Sequence, residues 1–210
     1  FDTNLFDFYY LSDGTLSVGI RAGCEPILGD EIIVPQVVNG KTITAIADNH
    51  KIYTSHTKKL TLPDTITNIA FYNEQGSVEC VISDCPNLEY LKLPAGLTAI
   101  GIPGESYEPN YDFLYNATCN ITIPASVTYI SAYALKNCTS ISFEDNTGWQ
   151  RRYIPLQLYA KEDRGGGWED VSPESISDPI ATAALFNDVK KYRSHGQYRN
   201  AIYEWRKVSP

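Results

Sequence analysis

Four times the chain writes an apolar residue, any residue, an apolar residue and Pro: Ile32 Ile33 Val34 Pro35, Leu60 Thr61 Leu62 Pro63, Leu91 Lys92 Leu93 Pro94, and Ile121 Thr122 Ile123 Pro124. Alternation with period two turns both apolar side chains to one face of a very short strand, and the Pro closes it. After each copy comes an apolar residue, Thr, any residue and Ile, at Ile43 to Ile46, Ile66 to Ile69, Leu97 to Ile100 and Val127 to Ile130. In the last three copies the apolar residue follows the Pro by three positions, at 63 to 66, 94 to 97 and 124 to 127. Chance does not produce that regularity. A unit this small cannot bury its apolar face alone, but stacked copies merge those faces into one core, with neighbouring strands about 4.8 Å apart.

The Thr motifs are separated by 23, 31 and 30 residues (43 to 66, 66 to 97, 97 to 127). With 23 as the bare unit, the second and third carry insertions at roughly 70–80 and 101–115, expected as surface loops. The second insertion, Gly101 to Asp112, is rich in Gly, Pro, acid and Tyr.

Here the residues resemble a known family, the BspA-like, or treponemal-type, leucine-rich repeats of host-associated bacteria. Ile82 Ser83 Asp84 Cys85 Pro86 Asn87 Leu88 Glu89 Tyr90 Leu91 Lys92 Leu93 Pro94 follows that repeat with Ile in the Phe place. Leu135 to Ile141 follows it again, and Phe113 Leu114 Tyr115 Asn116 does so with Asn in the Cys place. Val37 to Ile46 looks like the family's opening unit. The resemblance covers about residues 30–148. It implies a leucine-rich repeat solenoid of short parallel strands and irregular segments. Cys85 and Cys138 fall in the repeat's small apolar slot, where a reduced, buried thiol packs as a modest hydrophobe.

Outside the repeats, Asp13 Gly14 between two apolar runs is a hairpin signal, and this hairpin is expected to cover the first repeat. Residues 149–170 read as an extended segment with a flexible break at Gly165 Gly166 Gly167. Ser177 Asp178 Pro179 offers a helix start. Ala181 to Tyr192 has helical composition, with Ala184, Leu185, Val189 and Tyr192 on one side, and such a helix is expected to shield the last repeat. The division is then 1–30, an N-terminal hairpin cap; 31–148, the repeats; and 149–210, a C-terminal extension with a helical cap, all one structural unit.

Composition narrows the function. Of 210 residues, 17 are Lys or Arg and 25 Asp or Glu, for a net charge of −8. That balance argues against nucleic acid, whose affinity comes from counterions released around clustered cations. No apolar run approaches the 18 residues that cross a bilayer, so no membrane insertion is expected of this chain. Any export signal would already be gone from a chain that starts at Phe1. Five Cys without a CxxC pair weaken both a zinc site and a thioredoxin-like motif.

Candidate chemistry is sparse. Gly40 Lys41 Thr42 mimics the end of a phosphate loop, but Pro35 stands where that loop needs Gly, and Asn39 Gly40 reads better as a hairpin turn. His50, His56 and His195 lie near no recognisable nucleophile or third metal ligand. Asn116, Asn120 and Asn137 begin glycosylation patterns that carry little meaning in a bacterial chain. No catalytic residue, metal site or cofactor is assigned, and the chain is read as non-enzymatic.

What remains is surface. Tyr occurs 15 times and gives wide amphipathic contact at little entropic cost. The family resemblance implies a cell-surface or secreted protein that mediates adhesion to host proteins, host cells or other bacteria. The alternative is an extracellular glycan-binding module or carbohydrate-processing enzyme. The candidate ligand-binding residues are Tyr90 and Lys92 on the outer strand face and Tyr107 and Tyr111 on the inserted loop, because loops on a rigid scaffold are free of core duty.

Overall fold

The computed structural model describes residues 2–46, 54–67, 69, 71–72, 78–79, 82–83, 86–101, 114–115, 118–132, 134–155, 166–194 and 197–208. In chain order the strands through the repeats are β1 (Phe6–Tyr10), β2 (Leu16–Ile20), β3 (Glu31–Ile33), β4 (Val37–Val38), β5 (Lys41–Ile46), β6 (Lys59–Thr61), β7 (Phe71–Tyr72), β8 (Val78–Glu79), β9 (Ile82–Ser83), β10 (Tyr90–Lys92), β11 (Ala99–Ile100), β12 (Leu114–Tyr115), β13 (Asn120–Ile123), β14 (Tyr129–Ile130) and β15 (Ser140–Phe143). The remainder comprises β16 (Trp149–Pro155), β17 (Glu169–Asp170), helix α1 (Pro179–Phe186), β18 (Lys190–Ser194) and β19 (Gln197–Lys207).

The apolar alternation becomes a parallel ladder in the order β15-β13-β10-β6-β3. Ile32, Leu60, Leu91, Ile121 and Ile141 stand in one register row, and all five are buried. Val34, Leu62, Leu93 and Ile123, two residues further along each strand, are buried as well. Each such side chain removed from water contributes about 2 kcal/mol. The fifth rung, Ile141 Ser142 Phe143 Glu144, has no Pro and escapes the sequence pattern. Its Glu144 instead accepts a hydrogen bond from Ala125 N at 2.9 Å, tying it to the rung before.

The three-residue spacing after Pro has a hydrogen-bond origin. The carbonyls of Pro63, Pro94 and Pro124 accept from Ile66 N, Leu97 N and Val127 N at 3.0–3.1 Å. Each is a β-turn closed between residues i and i+3. The turn delivers the Thr motif to the opposite wall of the core, where Ile66, Ile69, Leu97, Ile100, Val127 and Ile130 are buried. On that wall β11 pairs in parallel with β14.

At the N-terminal side β1 and β2 form the expected antiparallel hairpin. The hairpin attaches through β2 in parallel to β5. The β4–β5 connection is the Asn39 Gly40 turn, with both residues in the left-handed region at φ 50° and 75°. That conformation matches the twist of a tight hairpin and tolerates Asn and Gly. The phosphate-loop likeness is thereby a turn.

The C-terminal region departs from the helical expectation. Helix α1 starts at Asp178, whose carboxylate accepts from Ile180 N and Ala181 N. It stops at Phe186, not Tyr192, and buries Thr182, Ala183 and Phe186 rather than the side carrying Ala184 and Val189. Asn187 turns its amide back onto the Ala183 carbonyl at 2.9 Å, a local bond by which Asn competes with helix continuation. From Lys190 the chain pairs instead as β18 with β19. The long strand β19 joins β16 along seven residues and crosses β14 in antiparallel sense. Phe143, Trp149, Phe186 and Trp205 pack where this sheet, α1 and the last rung meet, with Phe186 stacked on Trp205 at 4.4 Å. Pairing of Lys190–Ser194 with β19, whose Ile202, Tyr203 and Trp205 are buried, outweighs the helical propensity of the residues after Asn187.

Candidate functional site

Strand parity puts two register rows on the outside of the ladder. The first is Glu31, Lys59, Tyr90, Asn120 and Ser140; the second is Ile33, Thr61, Lys92, Thr122 and Ser142. Tyr90 and Lys92 lie on this surface as the sequence predicts. Tyr90 is 45% exposed and sits between Lys59 and Asn120. Its backbone is fixed by a bond from Tyr90 N to Lys58 O at 3.1 Å, so the ring projects from a rigid rung.

Lys92 is tethered. Its ammonium lies 3.3 Å from Asp64 Oδ1 on the preceding repeat, and the same oxygen accepts from Ala95 N at 3.0 Å. The Ala95 peptide, ahead of Lys92, holds the Asp64 carboxyl below its usual range while partial burial works against it. The arrangement positions Lys92 but leaves its charge partly answered.

Among the residues of these two rows, Lys59 and Lys92 are the cations and Glu31 is the acid. Two basic side chains thus stand beside Tyr90, Lys92 with its charge partly answered by Asp64, although the chain carries −8. Chain-wide composition averages over that difference, which appears only once the rungs are stacked. Ile33, in the variable place of its motif, is 55% exposed on the same face and adds an apolar residue to it. Tyr107 and Tyr111 lie outside the described residues.

A second polar cluster, on the C-terminal sheet, left no sequence mark. Glu204 is fully buried and accepts from Tyr129 Oη at 2.5 Å and from Arg152 Nε. Arg206 donates twice to Gln150 Oε1, at 3.0 and 2.8 Å, and lies over the Trp168 ring, as does Arg152. These groups satisfy one another, and the guanidiniums occupy the aromatic surface that a sugar would otherwise stack on. The cluster reads as a structural clasp between β14, β16 and β19. Cys138 and Cys119 are buried free thiols; Cys85 lies outside the described residues. His56 is exposed, and His50 and His195 lie outside the described residues. Among the described residues no group of three or more His, Cys, Asp or Glu is placed to hold a metal ion. No helix among them is long and apolar enough to cross a membrane.

No family model and no curated protein matches the chain. Among solved structures it is similar to a leucine-rich repeat protein from Bacteroides capillosus, at 20% identity and a TM-score of 0.46, over 69% of this chain and 98% of that one. It is also similar to a leucine-rich repeat protein from Bacteroides ovatus, at 18% identity and a TM-score of 0.39, over 68% of this chain and 40% of that one.

Proposed function

We propose that this protein is a non-enzymatic binding protein of the treponemal leucine-rich repeat type, acting at a bacterial cell surface or after secretion to engage host proteins, host cells or other bacteria. The observation that supports it is the outer ladder face, where the half-exposed Tyr90 stands in register between Lys59 and Asn120 on a strand paired on both sides. A rigid amphipathic ring is ready to bind because little entropy is lost on contact. The flanking Lys59 and Lys92 select a partner surface with an apolar spot ringed by carboxylates or other anionic groups.

The test is a screen of the protein against immobilised extracellular-matrix proteins and a glycan array, followed by Tyr90→Ala and Lys59→Glu. Each is expected to weaken capture of the protein hit by about 2 kcal/mol if the residue is a hot spot. Binding should also fall as salt rises, since exposed charges are screened over about 8–10 Å. Selective capture by glycans, indifferent to Lys59→Glu, favours the glycan-binding alternative. Unchanged affinity in both variants removes the ladder face from the proposal.

A further inference from the structure

Among the described residues the ladder ends at β3, whose far edge pairs with no strand. Successive residues of a parallel strand direct their peptide groups to alternate sides. Asp30 O accepts from Lys59 N at 3.0 Å, and Val34 N donates to Thr61 O at 3.0 Å. Residues 30, 32 and 34 therefore commit their peptide groups to β6, while Glu31 and Ile33 direct theirs away from it. Among the described residues β6 is the strand that pairs with β3, and the N-terminal hairpin does not close the other side because β2 pairs with β5.

Beside this edge lies a cavity of about 440 Å³, walled by Leu5, Phe6, Leu28, Ile32 and Ile33, with Glu31 at its rim. Ile32 belongs to the inward row, so the cavity continues the core into the place of one more rung. Ile27 and Val37, 66% and 54% exposed, add apolar surface nearby. No lining residue is basic, and Glu31 makes no ion pair among the described residues.

We propose that β3 receives an extended peptide strand from a partner protein, with alternating apolar residues and a Lys or Arg beside them. Only an extended backbone supplies donors and acceptors at the spacing of Glu31 and Ile33, and its alternation sends an apolar side chain into the cavity while its neighbours face out. The charge preference follows from Glu31: on its other side the same residue stands opposite Lys59, and a cation on the incoming strand repeats that pairing. Glu31 and Ile33 belong to the same outer rows as Tyr90, two rungs along, but the proposal uses the free backbone edge of β3 rather than the ring of Tyr90, so loss of peptide protection and loss of adhesion in Tyr90→Ala are separate outcomes.

The probe is a peptide copying residues 58–63, Lys-Lys-Leu-Thr-Leu-Pro, added to the full chain and followed by amide exchange and NMR shifts. The expected result is slowed exchange at Glu31 and Ile33, with binding lost when alternate peptide nitrogens are methylated. Glu31→Lys should weaken binding about tenfold, roughly 1.4 kcal/mol. Ile33→Pro should abolish the protection; its nitrogen faces away from β6, so the ladder bonds survive and an unchanged circular dichroism spectrum verifies the fold. Equal binding by the methylated peptide, or no slowing at saturating peptide, overturns the proposal. Protection that appears without peptide and grows with protein concentration overturns it in favour of a second copy of this chain.

Discussion

Leu91 sits between Leu60 and Ile121 in the inward row, with one hundredth of its surface exposed. Truncation there leaves a void that two flanking rungs hold open, so Leu91→Ala is expected to cost 2–5 kcal/mol in urea unfolding, on the order seen for buried Leu. Thr122→Ala, on the outer face of the next rung, should stay within about 0.5 kcal/mol. The contrast was legible in the sequence, because parity alone assigns the two residues to opposite sides. The Cys119–Cys138 contact was not. It joins residues from neighbouring repeats whose apposition depends on how Asn120 and Ser140 come into register. Hydrogen bonding to Cys119 and then burial push the Cys138 thiol well above its ordinary range. A raised thiol favours the neutral form in the folded state. Its contribution is complete below the unfolded thiol value and is lost as pH rises toward the folded one. Urea stability should thus decline above about pH 9, and Cys138→Ala should flatten that part of the profile.

At the scale of elements, what could be read was whatever a local pattern encodes. Four rungs announced themselves through alternation and Pro, and the Pro-to-apolar spacing proved to be a turn hydrogen bond. The fifth rung lacks the Pro, so the alternation motif passes over it and only the repeat likeness of Leu135 to Ile141 marked it. Helix α1 was legible at its start, where Asp178 supplies a side-chain cap, and Asp178→Ala should cost about 1 kcal/mol by thermal denaturation. Its end was misread because β18 pairs with the adjacent strand β19, and β19 in turn is held by β14 and β16, partners distant in sequence that no window of residues contains. Trp205 tests that tertiary term. It is fully buried against Phe186, and Trp205→Ala is expected to cost about 3–5 kcal/mol. A loss under 1 kcal/mol would show that the last strand contributes little.

For the molecule as a whole, stacking predicts a gradient of local stability. Rungs β10 and β13 have partners on both sides, whereas β3 has one. Hydrogen exchange should therefore be slowest at Leu91 and Ile121 and fast at Glu31 and Ile33, whose peptide groups face away from β6. Uniform exchange across the five rungs would mean that the ladder opens as one unit. The candidate site shows the same division between local and global information. Tyr90 and Lys92 were placed on the outer face by alternation, but the Asp64 tether, the apposition of Lys59 and Tyr90 and the free edge at β3 exist only in the assembled ladder.

The antiparallel crossing of β19 over β14 bears on how such a gene changes length. A parallel ladder has a direction, and a reversed strand laid across its partner wall is a chain stopper. Extra copies are therefore best accommodated by tandem duplication inside the array. Leu91 and Ile121 are register partners 30 positions apart, so repeating residues 91–120 before Ile121 inserts a whole rung and returns the reading of inside and outside unchanged. That lengthened protein is expected to fold with the same helix and sheet signature by circular dichroism. The same copy appended after Lys207 would find no matching strand to extend.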